Sequence, residues 1–283
     1  MSGSLSEVQS NQLAYIPNSF LDKYIRKNSN VTTVPSSHHS RALILSTNIL
    51  HFSHVTQQYL KDYPNGLEII ANFHKIFIEL IQEHISGTGA DMLRYNTDRI
   101  IFYWEIPPVD TEKCLDILSN VIVYKITQLK KALRERLINQ GVKVSFSFVF
   151  TEGSFTTFSL GPKNATEFVH SGHSLLEGLE CPRLENNDIS ILVSQSIVER
   201  IHNDFRVNVL DSLDDENEST PSFYLVIGVG EGSEVANLSI EGVDLRQLVK
   251  PEQFNTIFQD VGSYIPKCLE PYLKKATRNG EVK

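Results

Sequence analysis

Residues Gly89 to Trp104, GADMLRYNTDRIIFYW, constrain the fold of this chain more than any other stretch. Leu93 and Tyr95 alternate with Arg94, and Ile100 to Trp104 is an apolar, β-prone run, so the segment predicts two strands. Asn96-Thr97-Asp98 between them supplies residues that tolerate a tight turn. A carboxylate at such a turn, flanked by buried strands, is held with little freedom. Asp98 is therefore a candidate metal ligand. The competing reading is a turn carboxylate bonded to its own backbone, which is commoner for an isolated Asp.

The flanking sequence extends the pattern. Asn28 to Ser40 reads as a polar linker and Arg41 to Thr47 as a buried strand. Leu67 to Ile85 carries apolar residues and His74 at spacings of three and four, which predicts an amphipathic helix ended by Gly87-Thr88-Gly89. Asp110-Thr111-Glu112 opens a second long helix, to about Asn139. Val142 to Thr151 predicts a strand with Val144, Phe146 and Phe148 on one face and Lys143, Ser145 and Ser147 on the other. Glu152-Gly153-Ser154 reads as a turn and Phe155 to Leu160 as the returning strand. Phe168 to Leu179 reads as a helix, Ile189 to Val193 as a strand and Ser196 to Phe205 as a helix. Ser222 to Val229 is the last strand, and Gln253 to Lys275 is expected to be helical in parts.

This order predicts an α+β fold: a mostly antiparallel sheet with helices packed on it, close to a ferredoxin-like βαββαβ core. The expected division is a polar or docking segment over residues 1–40, a folded domain over 41–230 and an extension over 231–283.

Composition narrows the function classes. The 283 residues suffice for a sizeable core, and 41% hydrophobic with 21% charged is ordinary for a globular protein. A net charge of -8 argues against a general nucleic-acid or anionic-membrane binder. Lys130-Lys131 and Arg134-Glu135-Arg136 read as a solvated helix face. Cys114, Cys181 and Cys268 lack metal-ligand spacing, and so sparse a set points to a reducing compartment. The first residues lack the apolar core of a signal peptide, and no run reaches the roughly 20 apolar residues of a membrane span. A cytoplasmic location is the expectation. His38-His39 and the pair His170 and His173 lack supporting ligands and read as polar surface residues. Gly228 to Gly232 follows a strand with no helix after it, unlike a nucleotide-binding loop.

Four collinear stretches resemble the class III nucleotide cyclase domain, and most of all the first cyclase domain of soluble, bicarbonate-responsive adenylyl cyclase. Ala42 to Ser53, ALILSTNILHFS, is similar to the first strand and metal-binding loop, and Gly89 to Trp104 to the second metal-binding hairpin. Val142 to Gly161 resembles the following strand and hairpin, and Phe168 to His173 the approach to the helix beside the nucleotide pocket. The resemblance covers residues 13–230. It implies a pocket between two cyclase domains, in which two aspartates of one domain hold Mg²⁺ or Mn²⁺ on the phosphates of ATP. Asp98 matches the second of these aspartates, and Asn48 stands at the first. An amide oxygen is neutral and cannot offset hard cations as a carboxylate does.

Other positions depart from the family as well. Ile49, Leu50, His51 and Phe52 would border the phosphates, with Leu50 and His51 bulkier than the small residues the family uses there. His51 is also a candidate replacement ligand. Arg94 stands where the first soluble-cyclase domain has a lysine linked to bicarbonate sensing, and Thr97 sits in the same hairpin. Leu175 and Leu179 replace the catalytic Asn and Arg of the pocket helix, and a bicarbonate site like the family's is expected to be absent. The resemblance therefore implies an impaired domain acting as a partner or regulatory half, with a second cyclase domain in a homodimer or heterodimer. The alternatives are an active half that converts ATP to cyclic AMP and diphosphate, and a module that binds a nucleotide or other small ligand without turnover.

Overall fold

The computed structural model describes residue 21 and residues 35–106, 111–138, 143–160, 167–180, 189–210 and 223–238. The expected helical parts of 253–275 lie outside these residues, as does most of the expected polar or docking segment over 1–40, of which only Leu21 and residues 35–40 are described. Eight strands are described: β1 (Ser36–Leu50), β2 (Asp91–Tyr95), β3 (Arg99–Ile106), β4 (Ser145–Leu160), β5 (Glu167–Ser171), β6 (Ile189–Ser194), β7 (Phe205–Val209) and β8 (Phe223–Val229). The α-helices are α1 (Phe52–Asp62), α2 (Gly66–Ile85), α3 (Thr111–Arg136), α4 (His173–Glu180) and α5 (Gln195–Ile201). No helix among the described residues is long and apolar enough to cross a membrane.

The contacts divide the chain into two compact units, Ser40–Phe155 with Gly172–Gly242, and Met1–His39 with Thr156–Ser171 and Val243–Lys283. The sheet runs β2-β3-β1-β4-β6-β8-β7. β1 and β2 pair antiparallel with β3, and β8 does so with β6 and β7; β4 and β6 run parallel. The α+β class with a mostly antiparallel sheet is as the sequence predicts.

In the larger unit the two sheet faces are built differently. Leu43, Leu45, Phe102, Trp104, Phe146 and Phe148 point to one face, into a core with the apolar stripes of α2, α3 and α5. Phe77 stacks on Phe146 with centroids 5.3 Å apart, and Trp104 meets Phe150 edge-on at 6.1 Å. The other face holds a smaller cluster of Ala42, Ile44, Ile101, Tyr103 and Phe155, against which Leu175 and Leu179 of α4 pack. Ser147, expected on a polar face, is 3% exposed, because β4 is covered on both faces.

Several elements differ from expectation. β1 begins at Ser36, so the end of the polar linker is strand. The loop expected after Asn48 is short, since β1 continues to Leu50 and α1 starts at Phe52. Phe168 lies in β5, and the pocket helix begins only at His173. The helix expected to reach Phe205 ends at Ile201, and Phe205 opens β7.

The expected turn at Glu152-Gly153-Ser154 is absent, and β4 runs straight through it. Glu152 is held there by an ion network that sequence spacing does not reveal. Its side chain is 2% exposed and accepts hydrogen bonds from Arg41 and from Arg200, whose Nε lies 2.5 Å from Oε2. Arg200 also reaches Glu112 at 2.9 Å and Asp116 at 2.6 Å, tying α5 to the start of α3. Gly153 serves close packing instead of a turn, because a Cβ there would lie 3.1 Å from Ser174 Cβ. Breaking a buried ion pair from one side strands the remaining charges. Glu152→Gln is expected to lower unfolding free energy by about 3 kcal/mol or more, read from urea denaturation.

In the smaller unit, β5 pairs antiparallel with Thr156–Leu160 of β4, and His39 Nδ1 lies 2.8 Å from Thr156 Oγ1. His170 is half-buried rather than a surface residue, with Nδ1 3.1 Å from Thr157 Oγ1. Burial lowers its imidazole pKa to about 4. The folded value lies below the ordinary 6.5, so the unfolded chain takes up the proton first. The stabilisation is complete above about pH 6.5 and is lost as pH falls toward about 4. His170→Gln should flatten that loss when urea midpoints at pH 7 and pH 5 are compared.

Candidate functional site

The site is assembled where β1 ends against the β2–β3 hairpin. The β1–β3 register sets Asn48 opposite Arg99. Asn96 N donates to Arg99 O at 2.7 Å and Arg99 N returns to Asn96 O at 3.4 Å, which closes the turn around Thr97 and Asp98. Two contacts fix this turn from opposite sides. Ile49 N donates to Asp98 O at 2.8 Å, and His74 Nε2 on α2 donates to Thr97 O at 3.0 Å. The His74 ring also meets Tyr95 edge-on at 6.4 Å.

β1 gives way to α1 through a single residue, His51, in the left-handed conformation with φ 52°. Its carbonyl accepts from Val55 N at 3.0 Å, the first bond of the helix. His51 is the one non-glycine residue with positive φ among the described residues. The sharp strand-to-helix turn is thus kept without the glycine such a φ favours.

A cleft of about 300 Å³ opens here, on the sheet face that carries α4. Asn48, Ile49, Leu50, His51, Phe52, Asp98 and Leu179, all named from the sequence, line it. Leu50 is 5% exposed and so tucked into the wall, while His51 and Asp98 are exposed. The bulkier Leu50 and His51 therefore do not fill the cleft. Arg94 and Thr97 do not line it. Arg94 is exposed on β2, its Nε 3.5 Å from Asn96 Oδ1.

Arg99, His54, Ser147 and Gly178 line the cleft and were not singled out from the sequence. The decisive one is Arg99. Its Nε donates to Asn48 Oδ1 at 2.5 Å, and Ser46 Oγ lies 3.4 Å from the same oxygen. The β1–β3 register was the available signal, since pairing Asn48 with Arg99 follows once Arg41 is set opposite Ile106.

These residues do not fit a pair of divalent ions. Hard cations want several carboxylate oxygens. Among the described residues the cleft offers one carboxylate, Asp98, and an amide oxygen already bonded to a guanidinium. No group of three or more His, Cys, Asp or Glu among the described residues is placed to hold a metal.

No family model matches the sequence, and no curated protein matches it significantly. Solved structures do match the fold. The chain is similar to the adenylyl cyclase CyaB from P. aeruginosa, with a TM-score of 0.51 and 13% identity, over 69% of this chain and 98% of that one. It is similar to the guanylyl cyclase Cya2, with a TM-score of 0.51 and 15% identity, over 70% and 97%. It is also similar to the guanylate cyclase domain of RhGC from Catenaria anguillulae in complex with GTP, with a TM-score of 0.50 and 14% identity, over 69% and 100%. The fold is that of class III cyclase domains.

The left-handed His51 generates a stability test. A non-glycine residue in that conformation costs roughly 1–2 kcal/mol, and glycine's extra freedom in the unfolded chain returns part of it. His51→Gly should be neutral to stabilising by about 1 kcal/mol in urea unfolding, and His51→Val should be destabilising.

Proposed function

We propose that the chain is a cyclase-like domain, catalytically impaired on its own, that acts as a partner or regulatory half in cyclic nucleotide signalling. The carrying observation is the contact between Arg99 and Asn48 at the position that should receive a metal. Losing one carboxylate of a two-metal site removes several kcal/mol of transition-state stabilisation, on the order of a thousandfold or more in rate. The neighbouring guanidinium adds repulsion to that loss.

The partner half is a second cyclase domain, in a homodimer or heterodimer. Two features support pairing. The cleft opens on the face opposite the main helical core, and Leu176 of α4, beside the cleft-lining Gly178, is 55% exposed. The competing reading, an active half, requires Asp98 to hold Mg²⁺ or Mn²⁺ with help from a partner's residues.

A cyclic AMP assay with purified protein, ATP and either Mg²⁺ or Mn²⁺ separates the two. We expect no turnover above background. Turnover that Asp98→Ala abolishes would sink the impaired-domain reading. For the partner role, the chain should co-sediment with a tandem cyclase in analytical ultracentrifugation, and a chain that stays monomeric beside it would count against pairing.

A further inference from the structure

We infer that Arg99 is the resident cation of the cleft, standing in for a divalent ion, so that the cleft excludes metals and takes a phosphate-bearing ligand without one. This deepens the cyclase-like reading and rests on it only for the metal that a domain of this type would be expected to hold.

Three observations carry it. The first is the contact itself. Nε of Arg99 lies 2.5 Å from Asn48 Oδ1, so the guanidinium occupies the space in front of the oxygen that a metal at this position would need. Asn48 and Arg99 face each other in the strand register, and their neighbours Ile49 and Ile100 are in the main core, so the two backbones are held opposite one another.

The second is the charge balance. Among the described residues Asp98 is the one carboxylate lining the cleft, and Arg99 lies beside it in sequence and in the cleft wall. A divalent ion at this position would enter beside the guanidinium that already bonds Asn48 Oδ1, and hard cations want several carboxylate oxygens.

The third is what remains for a ligand. Ser147 is 3% exposed and its hydroxyl-bearing side chain lines the cleft. Phe52, Ser53 and His54 also line it, and they form the first turn of the eleven-residue α1, whose N–H groups lack intrahelical acceptors. A buried hydroxyl, first-turn N–H groups and a fixed guanidinium together suit phosphate oxygens.

Restoring the carboxylate with Asn48→Asp should not restore a metal site, because the new aspartate would pair with Arg99. The metal should return only when the arginine is removed as well.

Mn²⁺ binding to the full chain, followed by electron paramagnetic resonance, tests this without reference to turnover or pairing. The unaltered protein and Asn48→Asp should show no Mn²⁺ site at millimolar metal. Asn48→Asp with Arg99→Ser should bind at least about tenfold more tightly than Asn48→Asp alone. Asn48→Asp with Arg99→Lys, which keeps the positive charge, should stay metal-free, and thermal melts would verify that each variant is folded. Calorimetry with inorganic tripolyphosphate should give the same affinity in EDTA as in Mg²⁺. A Mn²⁺ site in the unaltered protein, an equal gain from Asn48→Asp alone, or no gain in the double variant would overturn the inference. Tripolyphosphate binding that requires Mg²⁺, or no binding at all, would overturn it too. Failure of the chain to pair with another cyclase domain would leave every one of these readouts unchanged.

Discussion

Eight residue pairs between β1 and β3, from Arg41 with Ile106 to Asn48 with Arg99, organise both the core and the cleft. Side chains on successive residues point to opposite faces, so this one register settles two things at once. It sends Leu43, Leu45, Phe102 and Trp104 into the main core, and it sends Ala42, Ile44, Ile101 and Tyr103 toward α4. A slip of one residue would invert both sets. The same ladder ends with Asn48 beside Arg99, and the hydrogen bond from Ile49 N to Asp98 O fastens the turn just beyond it. The chemistry of the cleft is therefore a consequence of a register imposed by the core.

The two faces of the sheet do different work. The α2, α3 and α5 side is filled with aromatic and branched aliphatic side chains, and the network of Glu152 with Arg41, Arg200, Glu112 and Asp116 ties β1, β4, α3 and α5 together. The bonds to Arg200 and Arg41 hold the Glu112 carboxyl below its ordinary pKa. On the α4 side only a small apolar cluster is buried, and an open volume remains between the end of β1, the hairpin turn and α4. A densely packed side thus backs a side that keeps an open cleft.

The sequence made local features legible and long-range ones much less so. The β2–β3 hairpin and the helices α2 and α3 followed from periodicity and turn residues, because their signals lie within a few positions of each other. Asn48, His51, Asp98 and Leu179 were found through a resemblance in motif order, and the structure gathers them around one cleft. What escaped depended on partners far away in the chain. Glu152-Gly153-Ser154 has the composition of a turn, yet Arg41 and Arg200 hold Glu152 in a strand. Phe205 to Val209 reads as the tail of a helix until β8 is there to pair with it. Arg99 drew no notice because an arginine at the edge of a turn is ordinary; it matters only because the residue across the ladder is Asn48.

The central claim is that a protein cation, not a metal, occupies the front of Asn48. The most direct measurement is a crystal structure grown with Mn²⁺ and a non-hydrolysable ATP analogue, with anomalous data collected at the manganese edge. The account predicts Arg99 Nε within hydrogen-bond reach of Asn48 Oδ1 and no anomalous peak in the cleft. A manganese peak coordinated by Asp98, with Arg99 turned away from Asn48, would contradict it.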